Sequence, residues 1–281
     1  MAVGASVAWG ASDFVAGLAA RRRSLLLVLG GSQLTGLVLM ALSVAVAGAA
    51  MPSGDALGLA AGAGICEVAG FALLYRALSS GPMGPVAPVA ALGGLVPLAA
   101  HLLAGDRLTT SALVGLGAAL TGIGLVSWDG AGAADREPVT TRAVLLAAGS
   151  ALAFGTFFLL LEQASVEDGD PLAAVTVSRF FAVMVTLPLL AFALRTRTPG
   201  TVGLRSVLVI GSVGLLDIGA NTLYAVGASQ AGGSSSLAVI ASTYPVATVA
   251  LAQLVLRERM TRVQAAGAAL TLVAVLLVGG V

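Results

Sequence analysis

"SLLLVLGGSQLTGLVLMALSVAVAGAAMPSG", Ser24–Gly54, runs without one charged side chain. A helix crosses the hydrocarbon core of a bilayer with about 20 apolar residues. This stretch can therefore span and still leave residues for a turn. Leu108–Trp128 is a second uncharged stretch of sufficient length. The whole chain agrees with them: of 281 residues 58% are hydrophobic and only 10% charged, with a mean hydropathy of +1.02. Soluble domains carry about 25% charged residues. The composition predicts an all-α polytopic membrane protein.

The same composition removes other classes. One cysteine, Cys66, allows no intrachain disulfide and no cysteine-based zinc site. A single histidine, His101, leaves little for metal clusters or Ser-His-Asp catalysis. All 14 basic residues are Arg, so a phosphate loop built on Lys is absent, and the net charge of +1 gives no nucleic-acid signal. No cofactor, metal or catalytic residue is expected. The expected partners are a small-molecule substrate and the lipid bilayer, with the protein a monomer or homodimer. The N-terminus lacks a basic region before its first apolar run, so the first helix is expected to be retained and not cleaved.

Turn residues and charges divide the chain into ten apolar segments. They are Val3–Ala20, Leu25–Ala50, Ala56–Leu78, Pro85–Leu103, Ser111–Trp128, Arg142–Gln163, Pro171–Leu194, Ser206–Ala228, Ser234–Leu256 and Arg262–Val281. The longest polar connection, "DGAGAADREPVT" (Asp129–Thr140), lies near the middle. Landmarks recur on either side of it. "GAALT" occurs at Gly117–Thr121 and Gly267–Thr271, and "AWG" (Ala8–Gly10) is answered by "AFG" (Ala153–Gly155). Tyr75 and Tyr224 stand in matching third helices, and Pro97 and Pro245 interrupt matching fourth helices. Asp106-Arg107 and Glu258-Arg259 close those helices. The common order predicts a duplication: one five-helix repeat over 1–129, a linker over 130–141 and a second repeat over 142–281.

Five helices per copy is an odd number, so the second copy enters the membrane upside down. Loop charges agree. Arg21–Arg23 follow the first helix, whereas the matching loop of the second copy has Glu167, Asp168 and Asp170 and no Arg. Twelve of the 14 Arg fall in odd-numbered connections, leaving Arg107 on the other side and Arg179 within a helix. The positive-inside rule places the arginine-rich loops in the cytoplasm and both termini outside. The expected location is the plasma membrane.

The early "WG", the "YRAL" and "LYAVGAS" ends of the third helices, and a proline before "ER.T..Q..G" together resemble the drug/metabolite transporter superfamily, EamA type. "STYPVATVALAQLVLRERMTRVQAAGAAL" (Ser242–Leu270) is the most specific piece. The likeness extends over essentially the whole chain. It implies a secondary transporter, commonly an exporter of amino acids, other metabolites or drugs. It also implies a central cavity lined by helices 1, 3, 4, 6, 8 and 9. The termini are one departure: many relatives are described with theirs in the cytoplasm.

Ionisable groups inside spans cost a few kcal/mol each and mark functional positions. Asp13, Glu67, Arg179 and Asp217 are such groups. Trp9 and Asp13 share one face of the first helix, and Asp217, Asn221 and Tyr224 form a polar stripe at i, i+4 and i+7. Trp9, Asp13, Glu67, Asp217, Asn221 and Tyr224 form the expected substrate or proton site, with Glu67 and Asp217 nearly equivalent across the repeats. Against this stand local pairing of Asp13, a helix–helix hydrogen bond for Glu67 and an interfacial place for Tyr75 and Tyr224. Arg179 is expected to be structural, paired with Glu162. His101, next to a loop, reads as a surface group. Tyr75, Pro97, Tyr244 and Pro245 are expected at gates or helix breaks, since interrupted segments at matching places point to a transport site. The chemistry expected is alternating access, coupled to protons or to exchange. An uncoupled facilitator or lipid-carrier flippase is the alternative; an intramembrane enzyme is disfavoured.

Overall fold

Arg23 ends the first helix and Ser24 starts the next. Arg23 is extended (φ −132°, ψ 163°), and the Ser24 hydroxyl accepts the N–H of Leu27 at 3.2 Å. That bond satisfies one of the free donors at a helix start. The computed structural model describes residues 1–80, 83–103, 110–126, 140–167, 170–196, 203–231, 241, 243–257 and 260–278. Nearly all of the inter-repeat linker and the two acidic-Arg pairs lie outside the described residues.

Every described element is helical. The helices are α1 (Ala2–Arg22), α2 (Leu25–Ala47), α3 (Gly54–Ser79), α4 (Met83–Ala90), α5 (Leu95–Leu103) and α6 (Thr110–Val126). Then follow α7 (Thr141–Glu167), α8 (Pro171–Thr196), α9 (Leu204–Ala231), α10 (Pro245–Leu251) and α11 (Arg262–Val278). Six of them, α1, α2, α3, α7, α8 and α9, are long and apolar enough to cross a membrane.

Boundaries follow local chemistry. Gly48 ends α2 at φ 65°, a left-handed conformation that costs glycine nothing. Asp170 Oδ1 accepts the N–H of Leu172 at 2.9 Å and Pro171 opens α8, where its missing donor is not needed. Thr261 and Gln264 form a reciprocal capping box for α11, each side chain accepting the other's backbone N–H at 3.1 Å.

The expected fourth span is interrupted. α4 gives way to a 3-10 turn over Ala91–Gly94 before α5 resumes, and Pro97, which cannot donate a backbone bond, lies just beyond. The expected ninth span shows a related interruption with a difference in detail. Pro245 does not kink a continuous helix but opens α10, with Tyr244 as the residue before it. α10 then runs into a π-helical turn, Ala252–Leu256.

Packing sets large aliphatic residues outward and small or polar ones inward. Val38, Leu42, Val46, Leu145, Leu152 and Phe192 are exposed, as a lipid-facing surface requires. Inside, α3 packs on α7 and α8, α2 on α8 and α9, α1 on α9 and α10, and α6 on α11. Without a hydrophobic force between helices in lipid, small residues allow backbones to approach closely. A methyl on Gly10 would overlap the Tyr244 carbonyl, and one on Gly155 would overlap the Gly93 carbonyl. The glycine of "AWG" thus seats α1 on the break before α10, and that of "AFG" seats α7 on the turn before α5.

Candidate functional site

The glycine contacts carry their neighbours into the interior. Trp9 precedes Gly10 and Phe154 precedes Gly155, and both rings line a cavity among the helices. Its walls are Trp9 and Asp13 (α1), Glu67 and Phe71 (α3), Phe154, Phe157 and Phe158 (α7), and Tyr244. The space open to the centre of a water molecule is about 10 Å³. That is about enough for one water. This conformation is contracted around the site.

The rings form a continuous wall. Trp9 lies 5.3 Å from Phe158 and 6.4 Å from Tyr244 between ring centroids. Tyr244 is 6.3 Å from Phe154, which meets Phe71 edge to face at 5.0 Å. Tilted and edge-to-face pairs at such distances suit the ring quadrupoles.

A polar network stands behind this wall. Arg179 of α8 is buried, and its Nη2 lies 2.9 Å from both Glu67 Oε1 and Asp217 Oδ2. Its Nη1 donates to Gln33 Oε1 of α2. Asn221 Nδ2 donates to Glu67 Oε1 at 2.6 Å, and Asn221 Oδ1 accepts the Trp9 indole N–H at 2.7 Å. One connected set of bonds therefore joins α1, α2, α3, α8 and α9. Each bond is charge-assisted or buried, which strengthens it but makes any orphaned member costly.

The network is not fully satisfied. Asp13 Oδ1, Glu67 Oε2, Asp217 Oδ1 and Arg179 Nε are buried without a hydrogen-bond partner. Asp13 and Glu67 are the two of these residues that line the cavity. Three buried carboxylates here face one guanidinium, and Arg179 is the only buried basic residue among the described residues.

The sequence-predicted residues sort accordingly. Trp9, Asp13 and Glu67 line the cavity, while Asn221, which donates to Glu67, and Asp217, which pairs with Arg179, lie behind it. Tyr224 is fully buried against Trp9 at 5.7 Å and donates to Phe158 O at 3.3 Å and Glu162 Oε2 at 3.2 Å. Arg179 does not pair with Glu162: it lies between Glu67 and Asp217, and Glu162 instead receives the Tyr224 hydroxyl. The helix turn of α8 that carries Arg179 faces α3 and not α7, which is why the nearer residue in sequence is not the partner. Tyr75 is buried on Phe71 at 5.1 Å, so it is no interfacial anchor. Tyr244 lines the cavity and Pro97 is buried. The His101 side chain lies outside the described residues.

Sequence reasoning missed Gln33, Phe71, Phe157 and Phe158, and read Phe154 only as part of a repeat landmark. Gln33 could have been found as the lone amide within an uncharged span. "FGTFF" (Phe154–Phe158) places rings on one face at helical spacing, but apolar lipid-facing rings give the same signal.

Residues 141–280, which supply Phe154, Arg179, Asp217, Asn221 and Tyr244, match the EamA-like transporter family. The chain belongs to that family. The family lies within the drug/metabolite transporter superfamily, and with six membrane-length helices the protein is a multi-pass membrane protein. No curated protein sequence matches the chain. One solved crystal structure is similar over 98% of this EamA-like chain and 95% of its own, with a TM-score of 0.61 and 18% identity. That likeness concerns the fold alone.

Proposed function

We propose that this EamA-like protein is a secondary transporter that exports a small metabolite, amino acid or drug by alternating access, coupled to protons. The observation that carries the reading is the contracted aromatic cavity bearing two buried carboxylates, Asp13 and Glu67, that keep partnerless oxygens. Buried charges without partners are costly and persist where they bind something. Glu67 is the fixed member, held by Arg179 and Asn221. Asp13, with no such tether, is the group that exchanges protons or ligand. Asn221 orients Glu67, Asp217 anchors the Arg179 that pairs with Glu67, and Tyr224 supports the Trp9 wall.

Two inverted five-helix repeats, 1–129 and 142–281, are the architecture proposed for the motion, with ten spans and arginine-rich loops in the cytoplasm. Paired contacts support it. Gly10 meets the break before α10 as Gly155 meets the turn before α5, and the two "AWG/AFG" glycines are 145 residues apart. Gly64 abuts the Ser178 carbonyl while Gly214, 150 residues on, abuts that of Ser32. Such exchange of partners between halves is what a two-fold axis in the membrane plane produces.

The test is flux in proteoliposomes with an imposed proton gradient. Asp13→Asn is expected to leave the protein folded and to abolish gradient-driven uptake. The groups that bear on the pH response are Asp13, Glu67, Asp217, Arg179, Tyr75 and Tyr244. Gradient-independent flux would establish a facilitator or flippase instead, and product formation without translocation an enzyme.

A further inference from the structure

We infer that the cavity receives the ammonium head of an organic cation. This deepens the transport reading, since it takes the same cavity as the ligand site. The charged side chains in the lining are Asp13 and Glu67, both carboxylates, each at most 3% exposed and each with a partnerless oxygen. The remaining described lining residues are aromatic. Trp9 has already given its N–H to Asn221, and the Tyr244 hydroxyl is directed at Ala90 O, 3.5 Å away. An anionic ligand would meet two carboxylates and, among the described residues, no uncommitted donor. A neutral apolar ligand would leave both oxygens orphaned.

An ammonium group answers every feature at once. Its N–H groups donate to Asp13 Oδ1 and Glu67 Oε2, and its charge offsets the excess of buried carboxylates over Arg179. Its surroundings are ring faces and edges of Trp9, Tyr244, Phe71 and Phe154, and ring faces attract cations strongly when water is excluded. Room for about one water matches a primary ammonium head in size. The body of the ligand enters as the walls part. Arg179 Nε is the one orphaned donor in the network, but Arg179 is not part of the cavity lining.

The experiment uses the full chain in lipid nanodiscs at fixed pH, with Trp128→Phe so that Trp9 reports alone. Hexylammonium, hexanol and hexanoate are titrated as probes of equal length and different charge. Saturable change in Trp9 emission is expected for hexylammonium, with affinity at least about tenfold above that for hexanol. Asp13→Asn should erase this preference and Asp13→Glu restore it; among the described residues Asp13 Oδ1 has no hydrogen-bond partner to lose, so folding is expected to be preserved. Equal affinity for hexanol or hexanoate, an equal response to sodium ions, or a preference that survives Asp13→Asn would overturn the inference. Counterflow in proteoliposomes separates the two proposals. Transport of a neutral or anionic solute that hexylammonium does not inhibit would leave the transporter standing and remove the cation. Binding of hexylammonium in a protein that moves no solute would do the reverse.

Discussion

Trp9 donates its indole N–H to Asn221 Oδ1 at 2.7 Å, across 212 residues of sequence. The bond fixes the ring that forms one wall of the cavity and the amide that holds Glu67. Wall and carboxylate are thus positioned by one side chain, and a change at either end is felt at the other.

Trp9→Phe keeps an aromatic wall but strips the donor from Asn221. Leaving a buried acceptor unsatisfied costs about 1–3 kcal/mol. A lower thermal midpoint is expected in detergent, together with a raised KM for the transported solute. Asn221→Asp should be worse, because it sets a third carboxylate beside Glu67 and Asp217.

Arg179→Met leaves Glu67 and Asp217 buried with no counter-charge. Breaking a buried ion pair from one side costs about 3–5 kcal/mol. Thermal unfolding of the purified protein should register that loss. Adding Glu67→Gln and Asp217→Asn to the same variant should recover most of it, since no uncompensated charge remains. If the triple variant is no more stable than Arg179→Met alone, the triad is not the source of the loss.

Gly10→Ala and Gly155→Ala each press a methyl into a backbone carbonyl oxygen, so that backbone itself must shift. Overpacking of this kind costs about 1–3 kcal/mol, and it pushes Trp9 or Phe154 out of the wall. Both variants should show reduced thermostability and impaired flux. Gly58→Ala, which meets nothing within 4 Å, is the control and should behave as the parent.

Topology is checked with cysteines on a Cys66→Ser background. Met51 and Gly203 are exposed and lie in connections of opposite arginine content. Met51→Cys should react with an impermeant maleimide from outside intact cells, and Gly203→Cys only after permeabilisation. The opposite pattern would invert the proposed orientation.

The amino-acid sequence by itself determined the class of the protein. Uncharged runs such as Ser24–Gly54 leave a chain no solvent but lipid, and lipid forces backbone bonds to close within helices. Ser24, Asp170, Thr261 and Gly48 marked helix ends through capping bonds or positive φ, which depend only on near neighbours. Intramembrane Asp13, Glu67 and Asp217 were legible because a carboxylate in an apolar run is conspicuous wherever it falls. Which of them stays free was not. Arg179 could reach Glu162 by sequence distance, yet the packing of α8 on α3 delivered it to Glu67 and Asp217 and left Asp13 untethered. The aromatic cavity was hidden for the same reason: a phenylalanine facing lipid and one facing a cavity look alike in one dimension. Only the close approach of α1 and α7 to the interrupted segments, at Gly10 and Gly155, turned Trp9 and Phe154 toward each other's wall.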